Sequence, residues 1–205
     1  MDLMKKFSQI VSGVFSPLLI PSYGTILVSY LTIMRLLPLR YIWLGVGVVF
    51  MLTCLIPIAG IFALYKAGFV KDAGLNERTE RTVPYILTIL CYLGAGFFLY
   101  RAGTPLWIDM FFAGGALAAL ISIIVNRWWK ISAHGAAMGG LTAFVFRMAA
   151  SHYAIYNLEV WMSVVVIATG LVLTSRVYLN RHTLMQVLLG AANGFLCVWL
   201  LSMIQ

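Results

Sequence analysis

Charge is scarce in this chain, and acidic charge is scarcer still. Of 205 residues only 10% are charged, and only six are Asp or Glu. A soluble domain carries about a quarter charged residues, so an ordinary soluble domain is excluded. The acids form no pair at metal-ligand spacing and no His-Glu-x-x-His run, so no metal and no other cofactor is expected. Cysteine is equally thin. Cys54, Cys91 and Cys197 each sit inside an apolar run with no Cys-x-x-Cys pair. An odd count of that kind argues against a disulfide framework and for quiet buried thiols.

What is present is apolar surface. Hydrophobic residues make up 62% of the chain and the mean hydropathy is +0.98. They fall in seven long runs, roughly Leu18–Met34, Tyr41–Tyr65, Pro84–Tyr100, Pro105–Val125, Ser132–Ala150, Leu158–Thr174 and Thr183–Met203. Runs of this length cross a hydrocarbon core of about 30 Å as helices. A spanning β-barrel would alternate every second residue instead. The expectation is an all-α, polytopic transmembrane helix bundle of six to seven spans. Pro17 and Pro21 make the first run the weakest. Pro84 and Pro105 open runs, where a missing N–H is tolerated. Trp128, Trp129, Tyr153, Tyr156 and Tyr178 fall at run ends, the usual place for interfacial rings. Residues 1–17, with Lys5 and Lys6, read as a retained amphipathic lead-in. No repeat and no linker divides the chain, so residues 1–205 are taken as one domain.

The net charge of +8 would suggest nucleic acid in a soluble protein. Here the cations are spread among loops, so the bilayer and its anionic head groups are the expected partners, with no nucleic acid. Parity puts the Lys66–Val83 loop, the Asn126–Lys130 turn and the Ser175–His182 turn on one membrane face. With the N-terminus, that face carries ten cations against Arg35, Arg40, Arg101 and Arg147 on the other. Five of the ten, Lys71, Arg78, Arg81, Lys130 and Arg176, are candidate ligand-binding residues. Without them the count is five against four and sidedness stays open. His152 falls on the far face and is set aside. Asp109 and Glu159 lie near it and are expected to pair with Arg101 or Arg147.

The three polar segments that parity gathers carry the chemistry. Lys71 and Arg78 are followed by Arg81. Ser132 and His134 open the fifth run, where free backbone N–H groups favour an anion. Ser175-Arg176 is followed after five residues by His182 and after three more by Gln186. A separation of four places His182 and Gln186 on one helical face, where the amide orients the imidazole. Ionisable groups in a membrane protein cost several kcal/mol each and call for a reason.

This set resembles the type 2 phosphatidic acid phosphatase (PAP2) superfamily, in its short prokaryotic integral-membrane branch. The motifs are Lys-x6-Arg-Pro (Lys71, Arg78), Pro-Ser-Gly-His (Ser132, His134) and Ser-Arg-x5-His-x3-Asp (Ser175, Arg176, His182). Together they span residues 71–190. The departures are Thr79 for the first motif's proline, Ile-Ser-Ala-His in the second, and Gln186 for the third motif's aspartate. The resemblance implies metal-independent hydrolysis of a lipid phosphate monoester or pyrophosphate. His182 is the implied nucleophile, forming a phosphohistidine, and His134 the implied acid and then base. Lys71, Arg78, Ser132, Ser175 and Arg176 are the implied phosphate-binding set, with Arg81 and Lys130 as further cations. The substrate is expected to be an anionic phospholipid or a polyprenyl (pyro)phosphate, and the location a prokaryotic inner membrane. A headgroup phosphotransferase and a non-catalytic lipid-phosphate binder or transporter are the alternatives. Oligomeric state is open.

Overall fold

A computed structural model describes residues 3–71 and 77–204. Most of the stretch between Lys71 and Arg78 therefore lies outside the described residues. The described chain is helical throughout, with one isolated β-bridge between Thr32 and Ala154. Among the described residues, five helices are long and apolar enough to cross a membrane: Leu39–Lys66, Thr82–Arg101, Leu106–Val125, Glu159–Tyr178 and Leu184–Ser202. The first of these is α3 (Leu39–Phe50) running through a π-turn, Met51–Leu55, into α4 (Ile56–Lys66). The widened turn comes just before Pro57, which has no N–H to give, and lets the helix continue past it. The others are α5 (Thr82–Arg101), α6 (Leu106–Val125), α8 (Glu159–Tyr178) and α9 (Leu184–Ser202).

Two of the seven runs behave differently. Ser132–Ala150 becomes α7 (Ala133–Ala149), the 17-residue centre of the bundle, where Met138, Ala143, Phe144, Val145 and Met148 have no exposed surface. Leu18–Met34 is not one span. It becomes α2 (Ile20–Leu31), 12 residues or about 18 Å of rise, well short of the ~30 Å core. Pro17 stops helix entry from the N-terminal side. At the far end Thr32 turns the chain into an extended clamp, with Ile33 N–H donating to Tyr153 O at 2.9 Å and Ile155 N–H to Leu31 O at 3.1 Å. The lead-in is α1 (Leu3–Val14), and its docking is the reverse of a soluble amphipathic helix. Ser8, Val11 and Ser12 face the bundle while Leu3, Phe7, Ile10 and Val14 are exposed. In lipid the greasy face belongs outside.

The tightest packing joins α7 to α9. A Cβ on Gly135 would meet Val187 O at 2.6 Å, and one on Gly190 would meet Ser132 O at 2.6 Å. Gly139 and Gly194 face the carbonyls of Ala191 and Ala136 more closely still. Small residues let helix backbones touch, which is where helix association in lipid finds its dispersion energy. Behind this pair, Phe111 and Phe144 stack with centroids 4.2 Å apart. On the far side, Asp109 accepts from the Thr104 hydroxyl and does not pair with Arg147. Arg147 points instead to the end of α9, donating to Ser202 O at 2.8 Å, with its guanidinium 5.8 Å from the Trp107 ring. Glu159 N–H bonds Asn157 Oδ1 at the start of α8.

Candidate active site

The three polar segments do converge. The Arg78–Arg81 turn packs on the Asn126–Ser132 turn, and Ser132 N–H reaches Gln186 O of α9 at 3.3 Å. Two local devices aim the histidines. After α8, Asn180 adopts a left-handed φ of 54°, a conformation asparagine tolerates at a helix end. The chain reverses there and delivers His182 just ahead of α9. Thr183 then caps α9 with a full capping box. Its hydroxyl accepts from Gln186 N–H at 3.4 Å while Gln186 Oε1 accepts from Thr183 N–H at 3.2 Å.

That box settles the imidazole. Gln186 Oε1, already turned toward Thr183 N–H, also lies 3.2 Å from His182 Nδ1. An oxygen only accepts, so Nδ1 carries the proton and Nε2 keeps its lone pair. The sequence expectation of a shared helical face is corrected here. His182 precedes the helix, and the two meet because the N3 side chain of a capping box folds back over the N-terminus. His182 is 7% exposed. Burial first, and then the Arg81 guanidinium, push its pKa down to about 4, against a smaller upward pull from Gln186. The ring is a neutral base at pH 7.

His134 enters from the second position of α7. Ser132 is the N-cap, fully buried, accepting from Gly135 N–H at 3.2 Å. The His134 Nε2–H donates to Ser12 O of α1 at 3.1 Å. The N-terminal helix therefore reaches the site through a backbone carbonyl, a contact that leaves no trace in side-chain pattern.

Both histidines line one cavity of about 270 Å³. Arg81 and Arg176 complete its polar end, and none of the described residues in its wall is a carboxylate. Arg81 is 8% exposed and donates to Ile131 O at 3.1 Å. Arg176 Nε is buried with no hydrogen-bond partner among the described residues. Lys130 stands close by, its pKa lowered by partial burial and by Arg81, Arg176 and Arg181, with Glu77 alone opposing. Cations held together against mutual repulsion make an anion site. Away from this end the wall is apolar: Ile20, Pro21, Ile61, Phe111, Phe112 and Val198. From Arg81 to Tyr92 on α5, and from Ser122 back to Phe111 on α6, the lining runs about 16 Å along the helices.

The PAP2 superfamily model matches residues 126–205, the stretch that holds the second and third motifs and both histidines. Over that stretch the chain is similar to the PAP2 superfamily. Phosphatase-type chemistry on phosphoric esters comes with that family. No curated protein and no solved structure matches the chain.

Of the residues singled out in sequence, Arg81, His134, Arg176 and His182 share the cavity wall. The others stand behind or beside it. Arg78, the arginine in register with the first PAP2 motif, donates to Asn126 O at 3.3 Å and Arg127 O at 2.8 Å, bracing the turn after α6. Lys71 is exposed, and its backbone N–H bonds Glu80 Oε2 at 3.1 Å. Ser132 and Ser175 are buried outside the lining, and Gln186 acts through His182. Tyr85, also in the wall, escaped the sequence reading because an aromatic one turn into an apolar run looks like packing.

Proposed function

We propose that this protein is a metal-independent membrane lipid phosphatase that cleaves a lipid phosphate monoester or pyrophosphate through a phosphohistidine on His182. One observation carries the reading: two histidines and two arginines close one end of a cavity whose remaining wall is mostly apolar. A phosphate held by Arg81 and Arg176 presents phosphorus to the Nε2 lone pair of His182, with its tail along Phe111, Phe112 and Val198. Attack forms the N–P bond as the P–O bond breaks. His134, tethered through Nε2–H to Ser12 O, acts as an imidazolium with a second proton on Nδ1: Nδ1–H gives that proton to the leaving oxygen, and the bare Nδ1 then takes one from the water that releases phosphate. Preorganised cations around the equatorial oxygens supply the electrostatic part of phosphoryl transfer. Arg78 and Ser132 hold the walls in place, and Lys130 adds to the field.

The test is phosphate release by detergent-purified protein from lipid phosphates and pyrophosphates, with chelator present throughout. Release that persists with chelator and is lost in both His182→Ala and His134→Ala supports the reading. The neutral Gln186 beside His182 favours a second reading, a lipid-phosphate binder without turnover. Folded protein that binds the panel but releases nothing would select it.

A further inference from the structure

In-line attack puts the leaving oxygen on the far side of phosphorus from His182 Nε2, and that oxygen carries the tail. With the tail along the apolar wall, the leaving oxygen sits where polar end and apolar wall meet. Few side chains there have a proton to offer. On α7 the lining around His134 is Ala133, Ala136 and Ala137. On α6 the Ser122 hydroxyl is spent on Ala118 O at 2.7 Å. On α5, one turn below Arg81, is Tyr85. Its hydroxyl is buried and makes no close hydrogen bond among the described residues, with Arg81, Asn126 and Ser122 at longer polar contact. Asn126 Nδ2 beside it is likewise buried without a close partner among them. Buried donors are left open where something absent supplies the acceptor. The Nε2–H of His134, meanwhile, is engaged by Ser12.

We infer that the Tyr85 hydroxyl is a catalytic donor to the leaving oxygen, stabilising the charge that builds there as the P–O bond breaks. This rests on the phosphatase reading. The phosphoryl group passes to His182 Nε2, and the bonding electron pair stays on the leaving oxygen. That oxygen accepts the Tyr85 hydrogen bond and takes the Nδ1 proton of the imidazolium form of His134, which leaves the ring neutral with Nε2–H still on Ser12 O. Arg81 beside the phenol makes the O–H a stronger donor to an anion.

The experiment compares an alkyl phosphate with a nitrophenyl phosphate bearing the same alkyl chain, in wild type and Tyr85→Phe. An alkoxide needs the donor and a nitrophenolate scarcely does. Tyr85→Phe is expected to lower kcat on the alkyl ester on the order of 100-fold, the usual effect of removing one such donor. On the aryl ester the loss stays within about threefold, and that retained turnover reports a folded protein. A lost hydroxyl that mattered only for packing lowers both rates alike. Equal losses, or none on the alkyl ester, overturn the assignment while wild-type turnover keeps the phosphatase reading standing. No wild-type turnover of either ester sinks the phosphatase reading and the Tyr85 role with it.

Discussion

Replacing Gln186 with Glu changes the charge beside His182 while leaving its scaffold alone. Glutamate is as good an N3 partner for a threonine cap as glutamine, so the capping box over Thr183 survives. One carboxylate oxygen takes the place of Oε1, 3.2 Å from His182 Nδ1. A carboxylate and an imidazolium with charge centres about 4 Å apart attract by roughly 4 kcal/mol at an effective dielectric of 20. Partial desolvation of the new carboxylate and the burial already holding the ring neutral together take back about half. About 2 kcal/mol then remains for the positive charge that develops as Nε2 attacks, worth roughly 30-fold in kcat. The same energy lifts the His182 pKa from about 4 by roughly 1.5 units. The assay pairs a histidine NMR titration with phosphate release on one lipid phosphate, and a melting curve in detergent checks the cap. A His182 pKa that rises without any gain in kcat would refute charge stabilisation at this ring as the limiting deficit. An unmoved pKa would refute the geometry itself.

Two further outcomes follow from the packing and from proton linkage. Gly194→Ala places a methyl against the Ala136 carbonyl, a backbone atom that cannot rotate away. It is expected to cost about 1–3 kcal/mol, while Gly47→Ala, with nothing within 4 Å, leaves the detergent melting point unchanged or higher. Because Ala favours helix over Gly, a similar fall for both would show that the loss does not come from the α7–α9 contact. Because His182 is held near pKa 4 when folded and returns to about 6.5 when unfolded, the unfolded chain binds the extra proton between these values. Stability is therefore flat above pH 6.5 and falls by about 1.4 kcal/mol per unit down to about pH 4, roughly 3 kcal/mol in all. Melting at pH 7 and pH 5 reads it, and a pH dependence that persists in full in His182→Gln would assign it elsewhere.

Much of this architecture was legible beforehand, for physical reasons that can be named. A membrane forces apolar length on each span, so the helices from Leu39 onward announced themselves, and parity alone brought Arg81, His134 and His182 to one end. Which face of the amphipathic lead-in meets the bundle was not legible, because hydropathy does not say which way such a helix turns in lipid. The hydroxyl face of α1 is its buried face. Nor does motif spacing say which arginine faces the cavity. Arg78 keeps the register of the first PAP2 motif, yet the Arg78–Arg81 3-10 turn points Arg81 inward and spends Arg78 on two carbonyls. Ser12 entered the site through its carbonyl, which every residue has and no sequence distinguishes.

The glycine seam between α7 and α9 has a consequence for how such a protein can change. His134 and His182 hang at the starts of two helices that touch through main chain, at Gly135, Gly139, Gly190 and Gly194. The gap between the imidazoles is therefore set by atoms that every substitution elsewhere leaves in place. The tail-facing wall, by contrast, is built of ordinary side chains such as Ile61, Phe111, Phe112 and Val198. Descendants of this chain are free to trade one tail for another by exchanging those residues, and inherit the reaction unaltered.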